Sequence, residues 1–180
     1  MQDEVFAQLV DSHYTGLYRY ALSLARSASD ASDLTQQTFF VWAKKGHTLR
    51  DANKAKTWLF TTLYREFLRN KRLGARVTAI EDLPAREQEF PSEAPDPVAP
   101  FDAQVVMAAL QDVDAIFRAP LTLFYLQELS YREIAGALEI PIGTVMSRLS
   151  RGKAELRAAL ARRSKGGTMI DFPKAKEQLP

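Results

Sequence analysis

A proline-rich acidic segment divides the 180-residue chain into two halves, and this division constrains the fold more than any other feature. Residues 81–101 hold five of the nine prolines, mixed with Glu, Asp and Ala. Proline lacks a backbone donor and disfavours helix in the residue before it. We therefore expect a flexible linker over residues 81–102, between small domains at 1–80 and 103–163, and a flexible tail at 164–180.

Charge follows the same division. Residues 1–80 carry a formal net charge of +5, residues 81–114 carry −8 and residues 115–180 carry +5. Two basic blocks on either side of an acidic connector suggest two modules that meet polyanions.

Several classes of protein are excluded by composition. The chain has no cysteine and only two histidines, which excludes disulfides, thiolate nucleophiles and a multi-histidine metal centre. No apolar run reaches the ~20 residues of a membrane span, so no membrane insertion is expected. Because the N-terminus also lacks the pattern of a secretory signal, we expect a cytoplasmic protein.

Apolar residues recur at helical spacing in both halves, without an alternating run of strand length, which predicts an all-α fold. In the first half we expect helices over about residues 4–26, from about residue 30 to Gly46, and over about 55–72. Ser29 or Asp30 is expected to cap the second helix, and Gly46 to end it in the left-handed conformation. His13 lies on the apolar stripe of the first helix, which favours a packed histidine over a ligand.

One face of the third helix carries a tryptophan and four arginines at spacings of seven, four, three and four residues. These positions fall within ~60° of arc, opposite Phe60 and Phe67. An aromatic ring beside several guanidinium groups supplies base stacking together with phosphate contacts, as single-stranded nucleic acid requires. The alternative is a solvated basic face with the tryptophan in the core. The stripe consists of Trp58, Arg65, Arg69, Arg72 and Arg76.

The second half begins with apolar spacing that predicts one helix from Asp102 through Phe117. Pro120 is expected in the first turn of the next helix. Ser130 and Glu133 then form a capping box that opens a short helix over 131–138.

After a break at 139–143, a long helix is expected from about Thr144 to Arg163, which completes a helix-turn-helix. Ser147, Ser150 and Arg151 face outward on it, a combination that suits readout in the major groove. A three-helix bundle with a basic surface is the alternative. The small core of this motif is expected to consist of Ile134, Leu138, Ile140, Val145 and Leu149.

Asp30, Asp33 and Asp51 are the carboxylates that a cation site or acid–base chemistry would use. Capping already explains Asp30 and Asp33, which lie at a helix start. The sequence has no Gly-rich phosphate loop, nucleophile elbow or metal-ligand spacing. We therefore expect a protein that is not an enzyme and has no metal or cofactor. An enzyme acting on nucleic acid through these aspartates is a competing hypothesis.

Two stretches resemble motifs of the extracytoplasmic-function (ECF) sigma factors of bacterial RNA polymerase. Residues 30–39, DASDLTQQTF, resemble the polymerase-binding motif of this family, and residues 130–135 with 140–149 resemble its second, helix-turn-helix domain. The resemblance covers about residues 4–163 and implies two helical domains on a flexible linker, without catalysis.

The resemblance also implies roles for particular residues. The first domain is expected to dock on the clamp of core RNA polymerase through Asp33, Leu34, Gln36, Thr38 and Phe39. It is expected to melt the promoter and capture an unpaired base of the minus-ten element with the loop before Trp58 and the following helix, through Trp58, Arg65, Arg69, Arg72 and Arg76. The second domain is expected to read the minus-thirty-five element through Thr144, Ser147, Arg148, Ser150 and Arg151.

Further partners implied by the resemblance are the polymerase flap and an anti-sigma factor. Three positions depart from the family pattern: Arg65 replaces a frequent Asn, Met146 a frequent Lys or Arg, and Glu139 the common turn glycine, at the cost of some backbone strain. A stand-alone helix-turn-helix regulator with an N-terminal sensor or dimerisation module is the alternative function.

Overall fold

The computed structural model describes residues 2–78 and 101–163, and all regular structure in these two stretches is helical, as predicted. The first stretch contains α1 (Gln2–Ala25), α2 (Ala28–Lys45) and α3 (Ala55–Thr78). Two short 3-10 turns, Gly46–Thr48 and Ala52–Lys54, connect α2 to α3. The second stretch contains α4 (Phe101–Leu110), α5 (Ala115–Tyr125), α6 (Tyr131–Leu138) and α7 (Ile142–Arg163).

The predicted linker at 81–102 lies outside the described residues, apart from its last two positions, which belong to α4. The predicted tail at 164–180 also lies outside them. The described helices fall into two compact units: α1–α3 pack together in the first, and α4, α5 and α7 with most of α6 form the second.

An apolar core joins the three helices of the first unit. Leu17 and Tyr20 of α1 and Leu59, Phe60 and Leu63 of α3 are almost completely buried. The ring of Tyr20 meets that of Phe60 edge-on, with 5.5 Å between centroids. Burial raises the pKa of the Tyr20 hydroxyl well above its ordinary value. These contacts fix α3 against α1 and so determine which side of α3 faces solvent.

The start of α2 differs from the prediction. Ser27, rather than Ser29 or Asp30, is the N-cap, because its hydroxyl accepts a hydrogen bond from the Asp30 backbone N–H at 3.3 Å. The helix therefore begins at Ala28, and Asp30 contributes its negative charge to the first turn, where the helix dipole favours it.

The junction of α4 and α5 also differs, since the predicted single helix through Phe117 is broken after Leu110. A buried arginine accounts for the break. The Arg118 Nε donates to the Leu110 carbonyl at 3.0 Å, and its Nη2 donates to the Val113 carbonyl at 2.9 Å. These bonds satisfy carbonyls that the end of α4 leaves without helical partners. Asp114 then caps α5 by accepting from the Ile116 N–H at 3.1 Å.

Pro120 lies inside α5, not in its first turn as predicted. Proline cannot donate to the Ile116 carbonyl, which costs α5 one hydrogen bond. Pro120 and its neighbours Leu121 and Leu123 are all buried, so burial of this segment outweighs the missing bond.

The long helix α7 is held to α5 and to the turn before it. Gly152 allows the close approach, because a Cβ at this position would lie 2.7 Å from the Phe117 Cβ. Glu155 accepts from the Asp114 backbone N–H at 3.0 Å. At the last residue of the described helix, the guanidinium group of Arg163 donates two hydrogen bonds to the Asp112 carboxylate, at 2.8 and 3.1 Å.

Replacement of Gly152 by alanine tests this close contact. We expect Gly152→Ala to lower the free energy of unfolding by roughly 1–3 kcal/mol, because the added methyl overpacks against Phe117 and Leu121. Gly143→Ala is the matched control in the same helix, since its Cβ would meet nothing within 4 Å. Urea unfolding measures both variants. Equal stability of Gly152→Ala and wild type would contradict the proposed packing.

Candidate polymerase and nucleic-acid interfaces

Of the five α2 residues expected to bind polymerase, the structure buries three and exposes two. Leu34, Thr38 and Phe39 belong to the core, whereas Asp33 and Gln36 are exposed. The resemblance alone does not separate these two groups, because it identifies a stretch of sequence and not a helix face.

The buried residues of α2 have contacts of their own. The Thr38 hydroxyl donates to the Leu34 carbonyl at 2.7 Å. The Phe39 ring meets Phe6 edge-on at 6.4 Å and stacks on Tyr14 at 6.3 Å, both on α1. Phe39 therefore holds α2 against α1 and is not free to contact a partner.

Phe40 is the exposed aromatic residue of this helix, and it was not predicted from the sequence. Its side chain is 52% exposed, and the Lys44 ammonium lies 4.1 Å from the centre of its ring. Phe40 follows Asp33 by seven residues, close to two helical turns, so the spacing places both on one side of α2. We define the α2 face as the exposed Asp33, Gln36 and Phe40.

A pair of tryptophans connects the end of α2 to α3. Trp42 and Trp58 meet edge-on, with 5.0 Å between ring centroids, and both are half-buried. Gly46 lies against the Trp42 indole, where a Cβ would be 2.6 Å from ring carbons. The predicted left-handed cap at Gly46 is wrong, because its φ of −61° is that of an ordinary helix. The glycine is required for space and not for backbone conformation.

The connection between α2 and α3 is strongly basic when the helix ends that flank it are included. We define the basic loop as residues 44–56, which include five Lys or Arg side chains against one Asp. Lys44 and Lys45 end α2, and Lys56 lies at the start of α3. Burial lowers the pKa of His13, and the positive charge of Lys56 lowers it further. His13 is half-buried on α1, and the lowered pKa favours its neutral form.

Trp58 follows the last residue of the basic loop by two positions, so the half-buried indole lies next to these cations along the chain.

The arginines of the predicted stripe lie on α3. Arg65, Arg69 and Arg72 are exposed, and Arg69 lies 3.5 Å from the carboxylate of Glu66, one turn earlier. Arg76 belongs to α3, but its side chain lies outside the part that the structure describes. Trp58 is half-buried. The sequence left open whether its ring lies on the exposed basic face or in the core, and the observed position is intermediate between the two.

The helix-turn-helix forms as predicted, with α6 at the expected bounds. Ser130 and Glu133 satisfy each other's backbone donors: the Ser130 N–H donates to the Glu133 carboxylate at 2.8 Å, and the Glu133 N–H donates to the Ser130 hydroxyl at 3.3 Å. Glu139 ends α6 with a φ of +56°. The Ile140 N–H bonds back to the Ala135 carbonyl at 3.1 Å, the pattern of a Schellman cap.

The strain expected at Glu139 is therefore present, because a left-handed conformation disfavours any residue with a Cβ. Ile134, Leu138, Val145 and Leu149 are buried as predicted. Ile140 is an exception and is half-exposed, because the tight turn after α6 keeps it near the surface.

α7 presents the predicted polar surface. Ser147, Ser150 and Arg151 are exposed, and Thr144 and Arg148 are half-buried at its edges. The Ser147 hydroxyl donates to the Thr144 carbonyl at 3.1 Å, which leaves its oxygen as an acceptor. The helix begins at Ile142, two residues before the expected start, since the Thr144 and Val145 N–H groups both bond to the Pro141 carbonyl.

Other kinds of site receive no support from the described residues. Within 2–78 and 101–163, no three His, Cys, Asp or Glu side chains come together as a metal site would require. In the same stretches, no helix has the length and apolar character of a membrane span.

Comparison with known proteins identifies both halves. The family model of sigma-70 region 2 matches residues 9–77, and that of sigma-70 region 4 matches residues 104–156. The chain is similar in structure to the sigma factor RpoE from Bartonella quintana, solved in complex with the anti-sigma factor NepR, with a TM-score of 0.76 and 28% sequence identity between the two chains. The match covers 88% of this chain and 98% of that chain.

Curated relatives agree with these matches. The chain is 34% identical over 161 residues to the ECF RNA polymerase sigma factor SigE of Mycolicibacterium smegmatis, covering 87% of this chain but only 62% of that relative's length. It is 33% identical over 157 residues to the ECF RNA polymerase sigma factor SigL of Mycobacterium tuberculosis, covering 84% of this chain and 86% of that one. The chain therefore belongs to the ECF RNA polymerase sigma factors.

Proposed function

We propose that this protein binds core RNA polymerase and directs promoter recognition, promoter melting and transcription initiation. The observation that carries the proposal is the match of sigma-70 regions 2 and 4 to two helical units, each with its own exposed basic surface. A stand-alone regulator is not favoured, because the region 2 match assigns residues 9–77 a role that a sensor or dimerisation module does not have. The protein has no catalytic activity of its own in this proposal, and it acts in the cytoplasm.

The α2 face is the proposed contact with the polymerase clamp. Asp33 and Gln36 supply polar contacts, and the exposed ring of Phe40 supplies an apolar anchor. A few such anchors carry most of the binding energy of a protein interface. Leu34, Thr38 and Phe39 belong to the same motif but act from inside, by keeping α2 in place.

Gel filtration with core RNA polymerase tests the docking proposal. We expect the wild-type chain to co-elute with core polymerase at one-to-one stoichiometry. Gln36→Ala and Phe40→Ala should each weaken this complex by about 5–30-fold, because loss of an interface anchor costs roughly 1–2 kcal/mol. Unchanged affinity in both variants would contradict the assignment of the α2 face.

Phe39→Ala is the matched control for Phe40→Ala. The two rings are adjacent in sequence, but Phe39 is 7% exposed and Phe40 is 52% exposed. We expect Phe39→Ala to lower the free energy of unfolding by about 3–5 kcal/mol, because it leaves a cavity between α1 and α2. Phe40→Ala should leave stability within about 0.5 kcal/mol of wild type.

The two DNA-binding surfaces are proposed to act together once the protein has docked. The basic loop, Trp58 and the arginine stripe of α3 contact the opened minus-ten element, and the outer face of α7 contacts duplex DNA at the minus-thirty-five element. Each surface alone is small and makes contacts that salt weakens. Docking both units on one polymerase raises their effective concentration at the paired promoter elements.

Variants of the α7 surface test the proposed minus-thirty-five contact. We expect Ser147→Ala and Arg151→Ala to weaken binding of polymerase holoenzyme to its promoter by about 5–150-fold, because a well-placed base contact contributes ~1–3 kcal/mol. Affinity for core polymerase should not change. Arg162→Ala, an exposed arginine in the last turn of α7, is the control and should keep the sequence preference. Promoter affinity measured by gel shift decides between these outcomes, and wild-type affinity in both variants would contradict the contact.

An anti-sigma factor is the remaining proposed partner. The RpoE structure to which this chain is similar was solved with an anti-sigma factor bound. A partner of this kind would inhibit the present protein by covering the α2 face or the DNA-binding surfaces.

A further inference from the structure

Two exposed apolar side chains lie at the start of α7, beside the proposed base-reading residues. Ile142 is 45% exposed and Met146 is 52% exposed. They are four residues apart, so they are neighbours on one side of the helix. Neither side chain belongs to the buried core of its unit, and each leaves about half of its surface open to solvent.

Small residues surround these two side chains. Gly143 lies between them, and a Cβ there would meet nothing within 4 Å, so the packing of the protein does not require a glycine. Ser147 follows directly. In the first two turns of α7, two large apolar side chains therefore stand beside a glycine and a serine. The small residues leave room for the helix to approach the bases in the major groove, where the apolar side chains can contact them.

Met146 belongs to the outward surface of α7. At 100° per residue it lies about 40° from Ser150 and about 100° from Ser147 around the helix axis, and all three are exposed. A duplex that contacts the two serines in the groove is within reach of the methionine side chain, which is unbranched and adapts its shape readily.

We propose that Met146, with Ile142 beside it, reads the C5-methyl group of thymine in the minus-thirty-five element. This inference rests on the proposed function and adds a base preference to it. Thymine presents a methyl group in the major groove, and apolar side chains favour it, whereas Lys or Arg favours the acceptors of guanine. Met146 therefore shifts the preference at the base pair that it faces from guanine to thymine.

A methyl-deletion experiment tests the proposal with the full chain bound to core polymerase. Duplexes that bind this holoenzyme are first selected from a randomised minus-thirty-five region. Each thymine of the selected element is then replaced singly by deoxyuracil, which removes only the methyl group. For at least one thymine, we expect the wild-type holoenzyme to lose about three- to fivefold in affinity, the effect of withdrawing one methyl-sized apolar contact.

The variants assign the effect to the residue. Met146→Ala should bind the thymine and deoxyuracil duplexes equally, and Met146→Arg should select guanine at that position. Ile116→Ala removes an equally exposed apolar side chain at the start of α5 and should keep the full methyl effect.

Three results would overturn the inference: equal wild-type affinity for every deoxyuracil duplex, a methyl effect that persists in Met146→Ala, or a selected element without thymine. These differ from failure of the proposed function, in which the chain does not bind core polymerase or the holoenzyme selects no minus-thirty-five sequence.

Met146 also borders a groove with Phe124, Tyr125 and Tyr131. If that groove holds a protein partner instead, Met146→Ala weakens polymerase binding and leaves the methyl effect intact, which also overturns the inference.

Discussion

Each interface helix buries one face in its own unit, and that burial determines which residues the helix can offer to a partner. On α2, the packing of Phe39 against Phe6 and Tyr14 directs Asp33, Gln36 and Phe40 toward solvent. On α7, the close approach of Gly152 to α5 has the same effect for the serines and arginines of its outer face. The proposed binding surfaces therefore depend on core contacts on the opposite sides of the same helices.

The sequence predicted elements well where the signals were local. The capping box of Ser130 and Glu133 involves residues three apart, and α6 formed at its predicted bounds. The polar and apolar faces of α7 followed directly from a period of 3.6 residues. The strain at the left-handed turn of Glu139 was expected from the resemblance to a family in which glycine is common at this position, and not from a local signal.

Predictions that depended on tertiary contacts were less accurate. The break between α4 and α5 requires Arg118 to reach back to carbonyls five and eight residues earlier, which no periodicity encodes. Gly46 is needed because the Trp42 ring lies against it, although its backbone is ordinary. The choice between Phe39 and Phe40 depends on where α1 lies, and the sequence motif covers both rings without distinguishing them.

Both units carry exposed cationic surfaces, but the surfaces are suited to different forms of DNA. The first combines a half-buried tryptophan pair with a basic loop and arginines, and aromatic rings next to cations favour unpaired bases. The second presents short hydroxyl groups and arginines on one helix, an arrangement that fits the major groove of a duplex. This difference is the physical basis for the proposed assignment of the two units to two promoter elements.

The most direct measurement of the central claim is transcription in vitro from a linear duplex promoter by core RNA polymerase, with and without this protein. Permanganate reactivity of thymines in the same reactions reports strand opening. The account predicts that specific transcripts and reactive minus-ten thymines are present only when the protein and core polymerase are combined. It would be contradicted if the protein bound the same duplex tightly by itself and left polymerase without specific initiation or strand opening.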